Sequence, residues 1–225
     1  MLPYLLHRRI RLWIVFTLFL GMAPVALWAQ TINFQGGVSI SNLHSVLYPT
    51  VYTFLGHTRV DPSFSIGMEY LEKKYWSISS NVGYVRKGGN EPGSNTDSLG
   101  RPIPITNLSE TFDYVSINTL FNLKYPLKGN WEPYISLGPH ADFMTSHNHT
   151  FYYFDFPNVL NKRCYGMVYA VGIRHAFSHV LVGLRAEHLV DLTPLVHLGD
   201  ETNYTHTRFL SATIGYRFRS KRRRK

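Results

Sequence analysis

The segment "WEPYISLGPHADF", residues 131–143, alternates apolar and polar residues along its length. Ile135 and Leu137 occupy odd positions, whereas Ser136 and His140 occupy even positions. This period of two predicts a β-strand with one apolar and one polar face, because successive side chains of a strand point to opposite sides. The fold then depends on which of the two faces meets water.

Seven further segments alternate in the same way, and after Gln30 we find no convincing amphipathic helix. The eight predicted strands are residues 32–42, 63–71, 75–87, 111–125, 131–143, 165–177, 180–189 and 207–218. Short connections alternate with long ones, and the long ones are residues 43–61, 88–110, 145–164 and 190–206. All long loops therefore emerge at one end of an up-and-down meander. Short turns at one end, long loops at the other and an even strand number are typical of outer-membrane barrels.

The composition of the two faces indicates which one is wet. The polar face is mainly Gly, Ser, Asn and Thr, which suit the narrow, side-chain-filled interior of an eight-stranded barrel. The opposite face carries bulky aliphatic residues, with aromatic residues toward its ends, as interfacial girdles require. The predicted girdle residues are Trp76, Tyr84, Tyr125, Phe143, Tyr169, Tyr216 and Phe218. We predict an all-β fold for residues 30–218: an eight-stranded antiparallel up-and-down transmembrane β-barrel whose apolar face meets lipid.

The N-terminal segment, residues 1–29, has the pattern of a secretory signal peptide: a basic start, the apolar core "LWIVFTLFL" and the small-residue ending "ALWA". We predict cleavage near Ala29 and export to the bacterial outer membrane. The alternative is an uncleaved membrane helix from Leu12 to Ala29. Cys164 is the single cysteine, so the exported chain has no internal disulfide.

The net charge of +9 is concentrated at the two ends of the chain. Nine of the 23 basic residues lie in the signal peptide and in the tail, residues 219–225, and the remaining 14 equal the 14 acidic residues. The body is therefore neutral, which excludes a nucleic-acid partner. The basic periplasmic tail is either solvated or binds an anionic partner, such as lipid headgroups or a periplasmic or envelope protein.

Several segments, in this order and spacing, carry a resemblance to a known family. They are "SNVGYVRKGG" (80–89), "YVSINTLFNLKYPL" (114–127), "WEPYISLGPHADF" (131–143), "YGMVYAVGIRHAF" (165–177) and "VLVGLRAEHLVDLTPL" (180–195). The chain resembles the PorT-like porin family of Bacteroidetes-type outer-membrane β-barrels over about residues 32–218. The resemblance implies an eight-stranded outer-membrane barrel. One departure is the sequence "RSKRRRK" after Phe218, where such barrels commonly end near a terminal aromatic residue.

Seven charged residues fall on the predicted inner face of the barrel. Buried charges need partners, so we expect an ion-pair network that closes the lumen, with a gated or selective pore as the alternative. The predicted network consists of Glu69, Lys124, Asp142, Arg174, Arg185, Glu187 and Arg217.

The inner face of the strand at residues 131–143 carries side chains of types that bind metals or act in nucleophilic catalysis. His140 and Asp142 share the inner face, and His147 and His149 follow in the next loop, so a zinc or copper site is conceivable, but the spacing matches no established signature. Ser136, His140 and Asp142 also share a face. Alternate positions on a strand are about 7 Å apart, however, which is too far for a direct proton relay. We predict no cofactor, no metal and no enzymatic activity.

The predicted function is that of a non-enzymatic integral outer-membrane protein with a structural or binding role. Its four long loops would recognise an external ligand or partner, because loops on rigid scaffolds usually carry recognition. Two alternatives stay open: a narrow porin that passes small polar solutes, and a soluble ligand-carrying β-barrel.

Overall fold

The computed structural model describes residues 29–47, 50–52, 57–91, 94–96, 102–104, 108–148, 160–198 and 201–218. Eight long antiparallel strands form a sheet that closes on itself, so the predicted eight-stranded up-and-down barrel is confirmed. The long strands are β1 (Ala29–Leu47), β3 (Arg59–Tyr70), β4 (Trp76–Glu91), β7 (Leu108–Lys124), β8 (Trp131–His147), β9 (Arg163–Phe177), β10 (Val180–Asp191) and β12 (Glu201–Arg217). Four short strands lie between them: β2 (Thr50–Tyr52), β5 (Ser94–Thr96), β6 (Pro102–Pro104) and β11 (Val196–Leu198).

Closure comes from the pairing of the first and last strands. β1 and β12 run antiparallel in continuous register from Thr31 opposite Arg217 to Leu47 opposite Glu201. Closing the sheet in this way removes the free edges that an open sheet would expose to hydrocarbon.

Three tight connections lie at one end of the barrel, which we call the short-turn end. They are residues 71–75, 125–130 and 178–179, and the second contains a 3₁₀ turn, Lys128–Asn130. Gly129 has a φ of 77° there, a left-handed conformation that glycine adopts without steric cost. The opposite end is called the long-loop end.

The predicted signal peptide, residues 1–29, lies outside the described part of the chain except for Ala29, the first residue of β1, and the predicted basic tail, residues 219–225, lies outside it entirely. Among the described residues, no helix is both long and apolar enough to cross a membrane.

The strands are longer than predicted at the long-loop end. β1 extends to Leu47 instead of residue 42, β7 begins at Leu108 instead of residue 111, and β12 begins at Glu201 instead of residue 207. The alternation of apolar and polar residues marks only the section whose outer face is apolar. Beyond it the strands continue, because hydrogen bonds to neighbouring strands maintain them whatever the side chains are.

The outer wall carries an apolar belt that begins at the short-turn end. On β12 the outward residues Tyr216, Ile214 and Leu210 are all more than half exposed, and the belt ends at Arg208. About nine residues at 3.3 Å each, tilted by about 40°, rise roughly 23 Å, close to the height of the apolar band of a membrane barrel. The strand sections beyond the belt therefore project from the bilayer on the long-loop side.

Layers of different polarity fill the barrel interior. A middle apolar layer consists of Val85, Leu120, Val168, Leu189 and Phe209. An outer apolar layer, nearer the long-loop end, consists of Leu43, Phe112, Tyr114, Cys164, Leu195 and Val196. The prediction of a polar interior is wrong for these two layers. Bulky apolar side chains fill these two layers and pack like an ordinary hydrophobic core, and only the outer layer lies where the strands leave the membrane.

Candidate functional site

Charged side chains close the lumen at the short-turn end. Arg174 Nη1 lies 2.6 Å from Glu69 Oε2, and Arg174 Nε lies 2.9 Å from Glu132 Oε2. Lys124 Nζ lies 3.3 Å from Glu69 and 2.8 Å from Glu72, which is also 2.8 Å from Arg217. We call this group the short-turn cluster; its members are Glu69, Glu72, Lys124, Glu132, Arg174 and Arg217.

Opposite charges balance within the short-turn cluster. It holds three carboxylates and three cations, contributed by β3, the following turn, β7, β8, β9 and β12. The pair of Arg174 with Glu132 joins neighbouring strands, whereas the pair of Arg174 with Glu69 joins β9 to β3 across the lumen. The cluster therefore ties the wall together at this end and leaves little uncompensated charge to attract ions.

A second group of polar side chains is completely buried between the two apolar layers. Lys87 Nζ lies 2.7 Å from Asp142 Oδ2 and 2.8 Å from Asp191 Oδ2, and all three side chains are at most 1% exposed. His140 lies between the same carboxylates, with Nδ1 3.4 Å from Asp142 and Nε2 3.4 Å from Asp191. Thr205 donates a hydrogen bond to Asp191. We call these five residues the Lys87 cluster.

The Lys87 cluster contains a set of atoms of the metal-ligand type. One atom each from His140, Asp142 and Asp191 lie within 4.8 Å of one another. The ammonium group of Lys87 already contacts both carboxylates, so a fixed cation of the protein supplies the charge that a metal would bring. His147 is not part of this group and stacks on Phe112 instead. His149 lies outside the described residues.

The arrangement of Ser136 does not support a nucleophile. Its hydroxyl donates a 2.6 Å hydrogen bond to Asn122 Oδ1 and is not among the contacts of His140. Asn122 in turn donates to Ser79 at 3.0 Å. Ser136 is thus part of a polar network among neighbouring strands, and a base is not positioned to activate it.

The two remaining predicted inner charges form a pair in the middle of the lumen. Arg185 Nε lies 2.8 Å from Glu187 Oε1, with both side chains less than 10% exposed. Two cavities of about 40 Å³ lie beside them; Arg185 lines one and Glu187 the other. A cavity of this size holds a few water molecules.

The predicted girdle residues occupy different heights on the outer wall. Those at the short-turn end are Trp76, Tyr125, Tyr216 and Phe218. Tyr84 and Phe143 lie farther toward the long-loop end, and Tyr84 stacks on Phe64. Tyr169 is in the middle of β9, opposite Leu137 and His188.

Sequence reasoning missed several charged residues of both clusters, notably Lys87, Asp191 and Glu132. The alternation could have identified two of them. Ser77, Ser79 and Asn81 lie on the inner face of β4. The same alternation, continued along the strand, places Lys87 on that face. Glu132 follows in the same way from Ser136. Asp191 lies beyond the predicted end of its strand, so this signal was not available for it.

Glycine at position 166 is required for the Lys87 cluster. A Cβ atom there would lie 2.1 Å from the carbonyl oxygen of Val190 and 2.5 Å from His140 Nε2. The Gly166→Ala variant is expected to lose about 2 kcal/mol of unfolding free energy, because backbone must shift to admit the methyl group. Urea unfolding in detergent measures this loss. Gly36→Ala is the matched control, since a Cβ at Gly36 meets no atom within 4 Å, and equal losses in both variants would contradict the expectation.

The sequence profile of the "Outer membrane protein beta-barrel domain" family matches residues 28–188. The chain belongs to this family. Membership assigns this outer membrane protein to the bacterial outer membrane, where short turns face the periplasm. The soluble-barrel alternative does not agree with this assignment.

Solved structures of other outer-membrane proteins resemble the barrel. OprG from Pseudomonas aeruginosa has 12% identity and a TM-score of 0.51, over 85% of this chain and 97% of that one. Neisserial surface protein A has 14% identity and a TM-score of 0.42, over 83% and 97%. The outer membrane protease OmpT from Escherichia coli has 9% identity and a TM-score of 0.40, over 84% and 97%. At 12% identity the likeness to OprG shows the fold alone. The TM-scores of the other two structures are below 0.5, and no conclusion rests on them. None of the curated protein sequences is significantly similar to this chain.

Proposed function

We propose that this outer membrane protein is a non-enzymatic structural or binding protein whose lumen is closed and whose long loops recognise an external ligand or partner. The observation that carries the proposal is the stacking of closed layers along the lumen. The short-turn cluster, the middle apolar layer, the Lys87 cluster and the outer apolar layer follow one another toward the long-loop end.

The middle apolar layer is the strongest argument against a pore. Leu120 and Val168 are completely buried, and Val85, Leu189 and Phe209 are less than 10% exposed. An ion crossing this layer would lose hydration to these apolar side chains, which is costly. The narrow porin is therefore the weaker alternative.

The projecting strand sections support the recognition role. Beyond the apolar belt, β1, β7 and β12 continue in paired register to Leu47, Leu108 and Glu201. The outer apolar layer packs inside this projection and stiffens it. A rigid platform outside the bilayer that carries the long loops is suited to binding an external partner.

Single-channel recording tests the closed lumen. Residues 30–225, refolded in detergent and inserted into a planar bilayer, are expected to give no conductance steps at moderate voltage. Heat-modifiable gel mobility of the same sample shows that the barrel is folded. Reproducible ohmic steps from the folded sample would overturn the closed lumen and favour the narrow porin.

Within its family, we propose that the chain is a PorT-like porin, because its segments between residues 80 and 195 resemble those of the PorT-like porins. Seven inward charged residues serve as a lumen charge network. They are Glu69, Lys124, Asp142, Arg174, Arg185, Glu187 and Arg217. Residues 1–29 are the signal peptide, and the basic tail, residues 219–225, is solvated on the periplasmic side, with an anionic envelope partner as the alternative.

A further inference from the structure

The outer wall changes from apolar to basic at one place on β10 and β12. His188 and Arg208 lie directly opposite each other, and the rings of His188 and His206 stack with their centroids 6.4 Å apart. Among the described residues, none forms an ion pair with Arg208. Arg86, another outward arginine at the edge of the belt, differs because Asp113 neutralises it at 2.6 Å.

A groove of about 730 Å³ runs along the wall to this basic site. Phe121, Leu137, Tyr169 and His188 are successive cross-strand partners on β7, β8, β9 and β10, and Arg208 continues the row on β12. Four interstrand spacings of about 4.8 Å give the row a length of about 19 Å. The groove is therefore long and narrow, apolar over its first three positions and polar over its last two, of which Arg208 carries the positive charge.

The row also rises through the membrane. Phe121 is three residues from the short-turn end of β7, whereas Arg208 is nine residues from that end of β12. The apolar part of the groove therefore lies within the bilayer, and its basic part lies where the apolar belt gives way to polar residues. This is the polarity profile of a lipid molecule, with a hydrocarbon chain inside and a headgroup at the surface.

We propose that the groove binds one phosphate-bearing lipid of the outer leaflet. An acyl chain lies along Phe121, Leu137 and Tyr169, and a headgroup phosphate accepts hydrogen bonds from Arg208 and His188. A guanidinium group binds phosphate through two parallel N–H donors, and its charge at the hydrocarbon border needs an anion. The site is separate from the lumen and from the long loops, so it extends the proposed function.

Native mass spectrometry of the barrel, released from dodecylmaltoside micelles, tests the site with bisphosphorylated lipid A as the probe. The wild-type barrel is expected to bind one lipid A. The double variant Arg208→Gln, His188→Gln is expected to bind it at least tenfold more weakly. Arg163→Gln is the matched control, because Arg163 is outward and exposed on β9 but does not line the groove, and its affinity is expected to change less than twofold.

A dephosphorylated lipid A separates headgroup recognition from general lipid contact. Removal of the phosphates is expected to weaken the binding of lipid A to the wild type by about the same factor as the double substitution does. The affinity of the double variant is expected to be the same for both lipids. Equal binding of both lipids to wild type and variant would overturn the proposal. A lipid-free dimer peak that the double substitution abolishes would overturn it in favour of a second copy of the chain. Heat-modifiable mobility shows that each variant is folded.

Discussion

The Lys87→Met variant is expected to lose about 5 kcal/mol of unfolding free energy, at the upper end of the cost of breaking a buried ion pair. Methionine fills most of the space of the lysine chain but leaves the carboxylates of Asp142 and Asp191 without their cation. Both carboxylates are at most 1% exposed, so water cannot replace the ammonium group. Urea unfolding of the folded barrel in detergent, followed by tryptophan fluorescence, measures the change.

Two further variants separate the charge from the packing. Lys74→Met removes a lysine from an exposed short turn and is expected to leave the unfolding curve unchanged. Adding Asp142→Asn and Asp191→Asn to Lys87→Met removes both orphaned charges and is expected to recover most of the loss. A loss below about 1 kcal/mol for Lys87→Met alone would show that the Lys87 cluster does not hold the barrel together.

The Arg185→Ala variant is expected to lose about 3 kcal/mol, because it leaves the carboxylate of Glu187 buried without a cation. This is the lower end of the range for buried pairs, since Glu187 borders a small cavity that has room for water. The midpoint of urea unfolding in detergent measures the loss.

A double-mutant cycle assigns that loss to the pair. Glu187→Gln alone is expected to be destabilising, and the combination of Arg185→Ala with Glu187→Gln is expected to cost less than the sum of the two. Arg163→Ala, an exposed arginine on the outer wall, is the control and is expected to be neutral. Additive effects of the two lumen substitutions would contradict a direct interaction between Arg185 and Glu187.

The sequence alone was sufficient to predict the barrel and to predict which side chains of the strands point inward. A period of two is a strong signal when one face meets hydrocarbon, because most outward residues of the belt must then be apolar. The same count placed Glu69, Lys124 and Arg185 on the inside, where the structure has them. It failed at the long-loop end, where the outer wall is polar and the strands continue to Leu47 and His147 without an apolar face.

The tertiary structure decided which inward residues meet. Lys87, Asp142 and Asp191 come from three strands and touch because strand tilt and register bring them to one level of the barrel. Spacing along a single strand contains no information on that level. The sequence therefore determined the fold and the inner face, through a one-dimensional pattern. The ion clusters, the apolar layers between them and the oblique groove on the outer wall depend on closure, which only the three-dimensional structure fixes.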